Sequence, residues 1–206
     1  MKVLMFNGSP RKGGNTSLAL EEMVKVFDEQ GIETEIVELA GKDIRGCEAC
    51  GACLKGEGGC VFDDIVNETA PKLEEADGVV LASPVYYASP NGTIISFADR
   101  LFYSTRFSKA MKVGAAVAVA RRAGVLPTYD TLNKYFQIND MPVASANYWN
   151  NVYGRLPGEA SQDEEGMQTM RVLAQNMAFL MKSIALGKEE FGMPEYEPKK
   201  LTNVIG

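Results

Sequence analysis

The chain has 206 residues, 46% of them apolar and 23% charged, which fits one globular domain and excludes a disordered chain as the default. Its formal net charge is −6 with no run of five or six Lys/Arg, so neither nucleic acid nor an anionic membrane surface is an expected partner. No apolar stretch reaches the ~18 residues of a membrane span, and the opening MKVLMFNGSP does not read as a signal peptide, so a cytoplasmic location is expected.

Lys2 to Phe6 is a short apolar run ended by Asn7-Gly8-Ser9-Pro10, the pattern of a buried strand. A helix is predicted from about Thr16 to Gln30, with Leu18, Met23, Val26 and Phe27 at helical spacing and Gly31 as the stop. Thr34 to Leu39 alternates as a second strand, which makes a βαβ beginning with a right-handed crossover. After a cysteine-rich segment come a helix over about Asp63–Glu75, a central strand over Gly78–Ser83 and a helix over Gly92–Ser104. A strand over Lys112–Ala120, a helix over Pro127–Phe136, a fifth strand over Pro142–Ala146 and a long helix over Asp163–Ile184 follow. Five strands alternating with five helices predict one doubly wound α/β domain over residues 1–187, with a cysteine-rich loop at 44–63 and a tail at 188–206.

There is no histidine, which excludes Ser-His-Asp and Cys-His catalysis and His-ligated metal sites. Chemistry must then come from other side chains, backbone amides or a cofactor. The four cysteines, Cys47, Cys50, Cys53 and Cys60, fall in one 14-residue window. Random placement would do this on the order of once in a thousand, so they share a job.

Two loops leave strands at their carboxyl ends, where open α/β sheets bind ligands. Gly8 to Ser17 is rich in small and polar residues ahead of the first helix. Its backbone amides and helix N-terminus suit an anion, with side-chain donors from Ser9, Asn15, Thr16 and Ser17, charge from Arg11 and close approach at Gly13. Gly14-Asn15 stands where a Walker A loop needs Lys-Ser/Thr, and G-x-G-x-x-G is missing. Simple helix capping accounts for part of this composition but not all of it. In Ser83-Pro84-Val85-Tyr86-Tyr87-Ala88-Ser89-Pro90, adjacent aromatics suit the wall of a flat ligand; a surface tyrosine pair explains them equally well.

G-S-P-R-x-G-G-N-T-S after the first strand and S-P-V-Y-Y after the third resemble the NADPH-dependent FMN reductase families. The cysteine run, C-x₂-C-x₂-C-x₆-C followed by Val61-Phe62-Asp63-Asp64, resembles their iron–sulfur flavoprotein branch. The resemblance implies a flavodoxin-like three-layer α/β/α sandwich with a parallel sheet of order 2-1-3-4-5. It implies FMN held by the phosphate loop, by Pro84, Val85, Tyr86 and Tyr87, and by the loop after the fourth strand, Ala120, Arg121, Arg122 and Gly124. It also implies an NAD(P)H- or ferredoxin-linked FMN oxidoreductase acting on a small-molecule or redox-protein acceptor, as a homodimer or homotetramer. Relatives often carry a glycine-rich fourth-strand loop; here two arginines stand in it, facing a flavin edge, a phosphate or solvent.

For the cysteines, a [4Fe–4S] cluster, reduced or redox-active thiols and a structural zinc site compete, while disulfides do not suit a chain without a secretory signal. The cluster, seated on the flavin side of the domain, is the favoured reading. A flavodoxin-like electron carrier and a cysteine redox sensor are the alternatives to an enzyme. Asn147-Tyr148-Trp149-Asn150 holds the single tryptophan, expected to be buried or against a neighbour's flavin, and Met167, Met170 and Met177 form a core stripe.

Overall fold

β1 (Lys2–Asn7) is buried from Val3 onward because both faces of its sheet are covered. Val3 and Met5 point into one apolar cluster, and Leu4 and Phe6 into another. The first cluster takes Leu20, Met23 and Phe27 from α1 (Asn15–Glu29) and Met170, Leu173 and Met177 from α5 (Glu164–Phe191). The second takes Leu73 from α2 (Ile65–Glu75), Phe97 and Leu101 from α3 (Gly92–Ser104), and Leu132 and Phe136 from α4 (Val125–Gln137). Each such side chain contributes roughly 1.5–3 kcal/mol by leaving water, which fixes the two helical layers against the sheet.

This computed structural model describes residues 1–55 and 58–202. Gly56 and Glu57 of the cysteine-rich loop, and residues 203–206 of the tail, lie outside the described residues. Beside β1 run β2 (Glu33–Glu38) and β3 (Gly78–Tyr86), then β5 (Val113–Ala120) and β6 (Asn151–Tyr153), all parallel, in the order β2-β1-β3-β5-β6. The two-residue β4 (Ser89–Pro90) folds back antiparallel on the end of β3. Among the long strands this is the predicted flavodoxin-like order. No helix among the described residues is long and apolar enough to cross a membrane.

Three elements depart from the sequence expectation. The predicted fifth strand at Pro142–Ala146 makes one parallel bridge, Val143 to Gly114, and then leaves the sheet. Pairing resumes at β6, where Asn151 meets Ala118. Four residues of β5 are thus matched by eight of the edge segment, and the surplus loops out with Tyr148 and Trp149 in edge-to-face contact at 4.5 Å. Trp149 is half exposed, not buried. β3 continues through Pro84 to Tyr86 and turns as a hairpin, with Tyr87 and Ala88 at φ 48° and 56°. Consecutive positive φ values make a type I′ geometry, which normally selects Asn or Gly, so the sequence gives no warning of it. α5 runs to Phe191, into the segment read as tail.

Candidate functional site

β1 delivers Asn7, fully buried, to the carboxyl edge of the sheet. Its Oδ1 accepts from Ser9 N (3.0 Å), and its Nδ2 donates to Ser17 Oγ and Glu38 Oε1 (both 3.1 Å). Gly8 N donates to Ala82 O (2.8 Å), tying the loop to β3, and Ser9 Oγ accepts from Arg11 N (3.1 Å). The loop is therefore held open and rigid from inside. α1 begins behind Gly14, and no side chain caps it. Leu18 N is the first amide with an intrahelical acceptor, Gly14 O at 3.1 Å, so the earlier first-turn amides face the loop as donors for an anion.

These amides border a cavity of about 160 Å³. Ser9, Arg11, Asn15 and Thr16 line it from the first loop, Pro84, Val85 and Tyr86 from the third strand's end, and Ala120 and Arg121 from the fourth long strand's end. Three loops distant in sequence thus converge as expected. Five predicted residues do not line it: Gly13, Ser17, Tyr87, Arg122 and Gly124. Ser17 is turned inward to Asn7, and Tyr87 projects fully exposed from the hairpin tip. Gly124 has a different job. Its φ is 87°, and a Cβ there would lie 2.8 Å from the Ala88 Cα, so only glycine lets this loop dock on the hairpin.

Gly154 and Arg155, which sequence reasoning missed, complete the wall. Asn15 reaches them by a clamp: its Nδ2 donates to Leu156 O (3.0 Å) and its Oδ1 accepts from Ala160 N (3.2 Å). A Cβ on Gly154 would lie 2.6 Å from that Nδ2. Glu159 accepts from the amides of Arg155 (2.7 Å) and Leu156 (2.9 Å), and these bonds hold its carboxyl below the ordinary value. Arg11, Arg121 and Arg155 give the cavity a cationic border on an acidic protein. The arrangement can bind a phosphorylated ligand at one end and leave a flat ring against Tyr86 and the hairpin.

All four cysteines line a second cavity, of about 580 Å³. They are free thiols, Cys47 and Cys50 exposed, Cys53 and Cys60 half-buried. Among the described residues no three metal-ligating groups are gathered closely enough to hold a metal ion as they stand. The donor set still fits a cysteine-ligated cluster. Four sulfurs border one space, Cys47 Sγ accepts from Ala49 N (3.5 Å), and Cys60 Sγ accepts from Arg100 Nε (3.2 Å). The wall opposite is formed by the last turns of α3 and α4, including Asp99, Tyr103, Tyr135 and Ile138. Burial, with a hydrogen bond to Asp99, pushes the Tyr135 hydroxyl pKa up.

The position of this cavity corrects the expectation that the cysteines sit on the flavin side. α3 starts beside the hairpin and runs back toward the amino ends of the strands. Arg100 and Ser104 lie ~12 and ~18 Å along it from Gly92 at 1.5 Å per residue. The two cavities share no lining residue.

Arg100 is the largest fully buried side chain. Its fork donates to both oxygens of Asp64, the N-cap of α2, at 2.7 and 2.9 Å. Burial disfavours the charge, but Asp64 and the Cys60 sulfur more than offset it, so its pKa stands above the ordinary value. Removing one partner of such a buried pair costs about 3–5 kcal/mol.

Comparison with known proteins agrees with this geometry. The chain matches the NADPH-dependent FMN reductase family over residues 1–154. It is 37% identical over 192 residues to an iron–sulfur flavoprotein of Methanocaldococcus jannaschii, covering 89% of this chain and 99% of that protein. It is 31% identical over 194 residues to an iron–sulfur flavoprotein of Methanosarcina thermophila, covering 92% and 100%. The solved structure of an archaeal flavodoxin superposes with a TM-score of 0.60 at 15% identity, covering 88% of this chain and 99% of that one, and so shares the fold. With its phosphate-type loop, the cleft where three loops converge and its flavodoxin-like sheet, the chain belongs to the NADPH-dependent FMN reductase family and is an FMN-dependent oxidoreductase.

Proposed function

We propose that the FMN phosphate lies on the Ser9–Thr16 turn and that the flavin ring extends toward Tyr86, between Pro84–Val85 and Ala120–Arg121. The observation that carries this is the uncapped start of α1, whose first-turn amides open into a cavity bordered by three arginines. Gly13, Ser17, Tyr87, Arg122 and Gly124 act around it as turn, support and outer wall. When bound, FMN supplies the redox chemistry, exchanging a hydride with a nicotinamide or single electrons with a one-electron carrier. The protein orients the ring, binds the phosphate and limits water.

NAD(P)H and ferredoxin are the proposed electron sources, and a small molecule or redox protein the acceptor, in the cytoplasm. Support for the nicotinamide is the family to which the chain belongs. Cys47, Cys50, Cys53 and Cys60 are proposed to hold a [4Fe–4S] cluster, supported by their common cavity and by the iron–sulfur flavoproteins named above. The working unit is proposed to be a homodimer or homotetramer. Tyr86, Tyr87, Tyr148 and Trp149 stand exposed, more aromatic surface than solvent requires.

Mixing FMN-loaded protein anaerobically with NADH, NADPH or reduced ferredoxin, and following the flavin absorbance, tests the reading. Bleaching by a pyridine nucleotide, repeated over many turnovers when an acceptor is added, is expected. Flavin that exchanges electrons with ferredoxin alone contradicts the NAD(P)H assignment. Sedimentation of the same protein is expected to exceed the 22.4 kDa monomer, and a monomer alone contradicts the oligomer.

A further inference from the structure

The four cysteines are not equivalent. Cys47 and Cys50 are exposed, with little to fix them, whereas Cys60 is held at three atoms. Asn67 Oδ1 accepts from Cys60 N (2.8 Å), Asn67 Nδ2 donates to Cys60 O (2.8 Å), and Arg100 Nε donates to Cys60 Sγ (3.2 Å). Arg100 in turn cannot swing away. Asp64 holds its fork from one side, Arg45 O accepts from Nη1 (3.3 Å), and the Phe62 ring lies 4.9 Å from its Cζ. One guanidinium thus spends two donors on a helix cap and aims a third at a thiol sulfur. It is 1% exposed, so its charge is poorly screened by water.

We propose that Arg100 is a positioning residue for the cysteine centre, presetting Cys60 as its first fixed ligand and raising the centre's reduction potential. The inference rests on the cluster reading above. Taking up one electron adds one negative charge to the centre. A fixed cation donating an N–H to one of its sulfurs favours that more negative, reduced form. Asp64 weakens the effect without cancelling it, because Nε touches the sulfur directly while Asp64 takes the two Nη groups and also accepts from the Val66 amide at the α2 cap (3.0 Å).

The test is a potentiometric titration of the anaerobically prepared, FMN-loaded full chain, with dithionite as reductant. The cluster's electron paramagnetic resonance signal is followed in wild type, Arg100→Gln and Arg100→Lys. At the wild-type midpoint, Arg100→Gln is expected to hold at least tenfold less reduced centre relative to oxidised, a shift of about 59 mV to more negative potential. FMN content is expected to stay unchanged. Arg100→Lys keeps an ion pair with Asp64 but cannot serve Asp64 and Cys60 with one fork, so its midpoint is expected to move the same way by less. If Arg100→Gln retains no FMN or no iron, Arg100→Lys decides. Iron-loaded variants with the wild-type midpoint overturn the inference and leave the cluster reading standing. Wild-type protein that holds FMN but no iron overturns both.

Discussion

Replacing Ser9 and Thr16 together by glutamate is expected to abolish FMN retention. Both side chains are at least 95% buried at the mouth of the α1 N-terminus, so the new carboxylates have little room to reach solvent. A phosphate on the same turn would meet them within several ångströms. At an effective dielectric of about 20, two unit charges ~4 Å apart repel by ~4 kcal/mol, nearly a thousandfold in binding constant. The new carboxylates would also compete for the first-turn amides that the phosphate uses. Equilibrium dialysis with FMN measures the loss, and far-UV circular dichroism checks that the sheet and helices persist. Undiminished affinity in a folded variant would move the phosphate elsewhere.

Cys50→Ala is the second large effect. With three of four thiolates left, the centre loses its completeness as a ligand set, and iron and its broad visible absorption are expected to fall to background. FMN content is expected to remain at the wild-type level, because the cysteine cavity and the flavin cavity have no residue in common. Reduction by ferredoxin is expected to be lost, while direct reduction by NAD(P)H persists. Iron and flavin analysis of anaerobically purified protein checks both halves. A Cys50→Ala protein that keeps full iron removes Cys50 from the ligand set, and one that loses FMN too shows the two sites to be coupled.

The parts of the fold that were legible in the sequence are those where burial on both faces imposes a continuous apolar run. Val79–Ser83 and Val113–Ala120 are of this kind, fully buried in the sheet centre. Their carboxyl ends fix where three loops meet, which is why most of the residues lining the smaller cavity, where FMN is proposed to bind, could be named from the sequence. Edge and tip elements were not legible, because they depend on pairing rather than on pattern. β6 is three residues, Asn-Val-Tyr, and nothing local distinguishes it from the Pro142–Ala146 run that starts the same edge. Missing it concealed Gly154 and Arg155. Gly154-Arg155 directly after Val152-Tyr153 was the available hint.

The cysteine site shows a different limit. Spacing brings Cys47, Cys50 and Cys53 to one loop, but the loop's path is set by contacts remote in sequence. Arg100 meets Asp64 and Cys60 across separations of 36 and 40 residues, and it looks in sequence like an ordinary exposed helix residue between Asp99 and Leu101. A charged residue at a core position is visible only once its partner is placed.

The central claim, that FMN is held by its phosphate on the Ser9–Thr16 turn, is tested most directly by titrating the flavin-free protein with FMN and with riboflavin, which differ only in that phosphate. Two charge-assisted hydrogen bonds at ~1.5–3 kcal/mol each predict that FMN binds at least ~100-fold more tightly. Quenching of flavin fluorescence gives both dissociation constants under one set of conditions. Equal affinities for FMN and riboflavin would contradict the account.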